Sequence, residues 1–419
     1  MDVVKLYGQV LGSLAKVSPA WGQTYLKIGW GLMNTKFKVA PNKQLLKGDQ
    51  YLATMMMSTM LKPLKDPEHS AIVSIFTPTE PLQEVGLVTY NVESFSGYYS
   101  GSQAELPCIH YTEDEGISET LCSYHKTFIG AAGLGLMPRP TCIAYTNLTC
   151  DANLLTFDYL SHFFDVPSFA VDVPLIPDDT SVAMVAEQLR EMSAFLEKHT
   201  GKKIEEEALK RRLRRTKWTL DAYERYQLMR ADKYIPQDLV TPLYCAAANN
   251  ILLGTSEEEK YVKLLLEQAQ TAEPTRGKRI YWMHVIPHWN KALIDTFSFN
   301  DRAQIVGSEL AQAAPADFDP EKPYEAMARR MVYNSYNGSV LRRIEHGIKN
   351  AKEACADGVI WFNHWGCKHT IGSAQLAKEK FEEAGLPFLI LDGDGCDRSH
   401  GGEGQTKTRV EAFLEMLEA

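Results

Sequence analysis

The stretch DGVIWFNHWGCKHT, residues 357–370, begins as a buried strand and ends in groups that a strand has no use for. Val359, Ile360, Trp361 and Phe362 form a continuous apolar run, the pattern of a strand covered on both faces in a parallel sheet. Asn363, His364, Trp365, Gly366, Cys367, Lys368 and His369 then crowd polar and metal-capable side chains where strand passes into helix. The same grammar recurs along the chain. A first block carries strand candidates at 71–76, 85–90, 141–146 and 169–173, with helix-length segments such as 119–132 and 153–164 between them. A second carries them at 279–287, 303–306, 359–363 and 387–392, closed by a helix at 408–417. Short apolar runs alternating with helical segments predict an α/β fold of two parallel-sheet domains. These would occupy residues 66–180 and 276–419, with a helical N-terminal segment at 1–65 and a charged helical connector at 181–275. The two blocks look like a duplicated architecture, although no residue-level repeat is visible.

The chain has 419 residues, 45% hydrophobic and 23% charged, ordinary values for a globular protein. A net charge of −9 leaves no basic face for a nucleic acid. The one basic run, Lys210 to Lys217, lies in a Glu-rich helical stretch. It reads first as a solvated helix face and second as a docking site for an acidic partner. No apolar run approaches the ~20 residues that span a bilayer, and the first residues lack the basic-then-apolar pattern of a secretory signal. The expected location is therefore the cytoplasm, without membrane attachment. In that reducing compartment the eight cysteines are expected as buried thiols, metal ligands or redox groups rather than disulfides.

Ligands of open α/β sheets gather beyond the carboxyl ends of the strands, and this rule sorts the cysteines. Cys150, Cys367 and Cys396 each follow a strand candidate. Cys122 opens a helix, where free N–H groups and the helix dipole favour a thiolate. Cys245 lies near a helix start after Pro242, and Cys108 in the loop upstream of Cys122. Cys142 and Cys355 precede their strands, at the wrong end, and read as ordinary buried thiols. No CxxC pair occurs, which argues against a zinc finger or a thioredoxin-like motif. Widely spaced thiolates without carboxylate ligands suit iron–sulfur clusters; the plainer reading is a scatter of small hydrophobes.

Three stretches go beyond spacing: CSYHKTFIGAAGLGL at 122–136, TNLTCDANLLTFDYLSHFFDVPSFAVDVP at 146–174, and GVIWFNHWGCKHT at 358–370 with LPFLILDGDGCD at 386–397 and QTKTRVEAFLEML at 405–417. Together they resemble the 2-hydroxyacyl-CoA dehydratase and benzoyl-CoA reductase family, from about residue 105 to the C-terminus. The resemblance implies two Rossmann-like domains with a metal cluster between them, held by three cysteines that correspond to Cys122, Cys150 and Cys367. Cys108, Cys245 and Cys396 are additional. Six cysteines at one cleft look like the double-cubane branch of that family, whose members bind an [8Fe–9S] cluster and resemble reductases. On that reading the chain is an iron–sulfur reductase component acting on a small unsaturated substrate.

The alternative is a 2-hydroxyacyl-CoA dehydratase or aryl-CoA reductase subunit with one [4Fe–4S] cluster. A reading from another class is a non-catalytic protein that stores or delivers such clusters. The implied partners are an ATP-hydrolysing activator carrying its own [4Fe–4S] cluster, a small-molecule substrate and a second copy in a homodimer. No P-loop motif is present, and Gly130-Ala-Ala-Gly-Leu-Gly lies within a helix rather than after a strand, so this chain itself carries no nucleotide fingerprint. His364 and Lys368, which flank Cys367, are the expected proton-handling residues, with His110, His369, His400, Asp392, Asp394 and Asp397 nearby. Gln405, Arg409 and Glu411 belong to the terminal signature and either hydrogen-bond the cluster region or pin the last helix.

Overall fold

The structure, a computed structural model, describes residues 2–419. It is α/β, with two four-stranded, all-parallel sheets. The first contains β1 (Ser70–Val73), β2 (Val88–Asn91), β3 (Cys142–Thr146) and β4 (Ser168–Val171) in the order β2-β1-β3-β4. The second contains β5 (Lys278–Met283), β6 (Ala303–Ser308), β7 (Gly358–His364) and β8 (Phe388–Gly393) in the order β6-β5-β7-β8. The spatial order is the same in both sheets, so the duplication is one of topology. Three helices, Val3–Val17, Pro19–Val39 and Lys47–Lys65, precede the first sheet, and four from Asp179–Thr200 to Ser256–Thr271 separate the sheets.

The opening stretch shows why the strands lack polar alternation. Ile360 and Phe362 of β7 pack with Trp282 and Leu391 against Val410, Phe413 and Leu414 of the last helix. Val359 and Trp361 point the other way, into a core with Tyr281, Met283, Ile344 and Phe381. Helices cover both faces, so both side-chain sets are apolar. The expected strand at 85–90 starts later, at Val88, because Gly86 adopts φ +76 in the turn after the short helix Glu80–Glu84. The helix expected at 119–132 begins at Ser123, with Cys122 as its N-cap.

The loop after β8 joins the two blocks. Ser123 Oγ donates to Asp394 Oδ1 at 2.6 Å, Ser100 Oγ to the Cys396 carbonyl at 2.8 Å, and Arg398 pairs with buried Glu105 at 2.6 Å. Three arginines of the basic run have intramolecular partners: Arg212 pairs with Glu84, Arg214 with Glu321 and Arg215 with Glu259. Cys142 is buried as expected, but Cys355 is exposed, in a left-handed turn at φ +49. No helix among the described residues is long and apolar enough to cross a membrane.

Candidate metal centre

In each sheet the strand order reverses between the first and third strands, and ligands bind at the crevice this creates. Here the two crevices open into one cavity of about 480 Å³. Ile75 and Phe76 reach it from the end of β1, Cys150 from β3, His284 from β5, and His364 and Cys367 from β7. Cys122 enters from the start of helix Ser123–Gly133 and Glu93 from the helix that follows β2. Thiols on two blocks distant in sequence thus share one space.

These three cysteines also share a local position. Cys122, Cys150 and Cys367 are each the N-cap of the helix that follows, and none spends its sulfur on capping. The open N–H groups and dipole of helices Ser123–Gly133 and Asp151–Phe164 favour negative charge at the first two. Without metal, burial first, then the charges of Cys367, Cys150 and Asp394, raise the Cys122 thiol well above the ordinary range. Burial, then Cys367, pushes Cys150 up to about 12. A bound metal would be needed to hold these groups as thiolates.

The histidines are oriented by the backbone. The Gly395 N–H donates to His364 Nδ1 at 3.0 Å, so the ring hydrogen sits on Nε2, which lies 3.2 Å from Cys122 Sγ. Burial lowers the His364 pKa, keeping the ring neutral. His284 adopts φ +72, its N–H bonds Glu309 Oε2 at 3.0 Å, and its Nε2 stands 3.7 Å from Cys367 Sγ. Behind it lies a fully buried pair, Arg343 and Glu309, with Arg343 Nη2 donating to Glu309 Oε2 at 2.7 Å. Tyr336 OH donates to the same oxygen at 2.8 Å and faces the cavity. Glu93 Oε2 is shut off from solvent without a partner, and burial raises the carboxyl to about 7.

The remaining expected site residues lie elsewhere. Cys108 is not in a loop but inside helix Glu105–Asp114, its Sγ turned to the Ala104 carbonyl. Cys245 sits mid-helix, 2.7 Å from Tyr261 OH, and Cys396 turns into the first block beside Thr127 at 3.4 Å. All three are buried in packing and none lines the cavity. Lys368, exposed, lines a separate surface cleft with His110 and His400, because it sits one residue past the turn that aims Cys367 inward. His369 bonds Arg343 Nη1 at 2.9 Å. Gln405 is exposed, and Arg409 pairs with Asp392 at 3.4 Å while Glu411 pairs with Arg302 at 2.7 Å. These contacts make the terminal signature a clamp for the last helix rather than part of the cavity wall. Sequence reasoning missed Glu93, His284 and Tyr336. Only His284 left a trace, as the one histidine at the end of β5, equivalent to His364 at the end of β7.

Among the described residues no group of three or more His, Cys, Asp or Glu is gathered to hold a single metal ion. Three inward thiols spread around one cavity instead fit a cluster, in which each sulfur takes a different iron.

The family model for the 2-hydroxyglutaryl-CoA dehydratase D-component matches residues 74–417. The (R)-2-hydroxyisocaproyl-CoA dehydratase alpha subunit of Clostridioides difficile is 23% identical over 82% of this chain and 89% of its own length. The lactoyl-CoA dehydratase subunit alpha of Anaerotignum propionicum is 22% identical over the same shares. The (R)-phenyllactyl-CoA dehydratase beta subunit of Clostridium sporogenes is 25% identical over 53% of this chain and 60% of its own. With the match covering well over half of the chain, strands β2 to β8 and all three cavity cysteines, the chain belongs to the 2-hydroxyglutaryl-CoA dehydratase D-component family.

Proposed function

We propose that this chain is a subunit of a 2-hydroxyacyl-CoA dehydratase that holds one [4Fe–4S] cluster on Cys122, Cys150 and Cys367. The carrying observation is that these three thiols, and no other cysteine, face the cavity between the sheets. The six-ligand, double-cubane reading needs Cys108, Cys245 and Cys396 in the same space. Their side chains are packed into helices and the interblock latch, so the single-cluster form is the better supported. Acceptance of single low-potential electrons is the chemistry such a cluster supplies, and an ATP-hydrolysing activator is the proposed source of them. The alpha and beta names of the relatives favour assembly with a second subunit of similar fold.

The chain's own residues prepare the site. His364 Nε2–H is set to bond the Cys122 sulfur and stabilise charge there. Arg343 holds a fixed positive charge behind Cys367 without entering the cavity. Glu93 is the one carboxyl on the wall among the described residues, its Oε2 shut off from solvent, positioned to hold or release a proton.

Iron analysis of anaerobically purified protein tests the reading. About four irons per chain are expected, lost on C122S, C150S or C367S and kept on C108S, C245S or C396S. About eight irons, falling with the second set, would return the double-cubane reductase. With activator, reductant and ATP, a 2-hydroxyacyl-CoA should lose water while a small triple-bonded molecule is left unreduced. Cluster transfer to an apo-protein without turnover would instead mark a delivery protein.

A further inference from the structure

We infer that the outer face of helix Pro19–Val39 docks a second copy of this chain, seating against the acidic face of that copy's helix Asp151–Phe164 and covering the mouth of the cavity. This deepens the reading above and rests on its assembly with a subunit of similar fold. Between residues 3 and 48 stand seven lysines and no Asp, Glu or Arg. The whole chain carries −9, so with +7 here the remainder carries −16. None of the seven is among the lysines that pair with a carboxylate in the described residues. Helix Pro19–Val39 is apolar on two sides. Leu26 and Trp30 face inward and are buried. Trp21, Tyr25, Ile28, Leu32, Thr35 and Val39 follow one another at alternating steps of four and three, the seam spacing of a helix that packs on another helix. Tyr25 stacks on Tyr7, but Trp21 is 63% exposed and Leu32 67%. An apolar helix face left open in this way marks an interaction surface. Leu32 and Met33 are exposed and also line the cavity, so a partner on this face closes its mouth.

Charge identifies the occupant. Two basic hairpins laid face to face would bring both sets of lysines together without a carboxylate, a juxtaposition that opposes association. Helix Asp151–Phe164 offers the complement. Leu155, Tyr159 and Phe163 stand at four-residue steps on its surface, Leu155 being 73% exposed. Asp151 and Asp158 are exposed beside them, Asp165 caps the helix end, and the helix carries no Lys or Arg. Glu115 adds a negative charge that bears on Tyr159. At 1.5 Å per residue the seam from Trp21 to Val39 is about 27 Å long and the acidic helix about 21 Å, so one can lie along the other. In a two-fold pair each copy gives its basic helix and receives its partner's on the acidic one, which makes two equal contacts.

Light scattering of the anaerobically purified full chain at roughly 10 μM should give twice the chain mass, and the dimer should weaken as salt rises. I28D/L32D alters only side chains that are exposed in the single chain, so it should be monomeric with unaltered circular dichroism. K27E/K36E and E115K/D158K should each weaken the dimer about tenfold, and the variant carrying all four reversals should return to within about threefold of wild type. A wild-type chain that stays monomeric overturns the inference. Flotation of that monomer with phosphatidylglycerol vesicles would give the face to a lipid surface, and pairing only with a paralogous chain would give it to that chain. A dimer untouched by I28D/L32D, or a fourfold variant no stronger than either double variant, overturns the inference as well. Iron content reports separately: a dimer with this dependence but without iron would sink the cluster reading and leave this one standing.

Discussion

Glu93 shows how much a single residue's surroundings decide. In the chain it is one of many acidic residues; in the fold its buried carboxyl is held protonated up to about pH 7, against an ordinary value of 4.5. An acid raised in this way binds its proton more tightly folded than unfolded. Stability from this group is therefore full below about pH 4.5 and falls as pH rises to about 7. The loss should be on the order of 3 kcal/mol. E93Q cannot ionise, so relative to wild type it should gain about that much between pH 4.5 and pH 8, measured by urea unfolding at the two values. Parallel curves for the two proteins would refute the assignment. The same contrast separates His364 from Lys368, which flank Cys367 alike in sequence. A backbone N–H from Gly395 fixes the His364 tautomer, while Lys368 emerges on an outer cleft. Neither outcome could be read from adjacency.

At the scale of elements, the strand ends were legible and the helix starts were decisive. Apolar runs located all eight strands, because strands covered on both faces cannot hide among polar residues. The carboxyl-end rule brought Cys150 and Cys367 to the cavity but admitted Cys396, whose loop turns away into the first block. Position relative to the helix is the sharper criterion. The inward thiols are N-caps, whereas Cys108 and Cys245 lie inside helices on buried faces. Gly366 makes the turn that aims Cys367 possible. It sits at φ +80, and a Cβ there would approach Cys122 Cα to 2.8 Å. G366A should cost about 2 kcal/mol in denaturant unfolding and lower iron content, whereas G97A, with open space around it, should cost nothing. Equal stability of G366A and wild type would remove the turn from the account.

For the whole molecule, the consequential arrangement is that two of the inward thiols belong to the first block and one to the second. A cluster bound across them would link the blocks, so binding free energy becomes stability of their interface. Anaerobic chelation should lower the thermal midpoint by several degrees in wild type and leave C367S, already without iron, unmoved. An unchanged midpoint in wild type would mean that the metal does not span the blocks. From the chain alone came the α/β class and the two repeats of four strands, which rest on local periodicity; position at strand and helix ends offered six cysteines, and the trio Cys122, Cys150 and Cys367 was set apart only by the resemblance to the family. Periodicity is a property of neighbours in sequence, and it survives without knowledge of what packs where. The direction in which Cys108, Cys245 and Cys396 point, the neutral carboxyl of Glu93, the Glu309–Arg343 pair behind His284 and the cavity shared by the two sheets depend on contacts across tens to hundreds of residues. Burial and hydrogen-bond partners exist only once the two sheets face each other, and so the tertiary structure alone decided them.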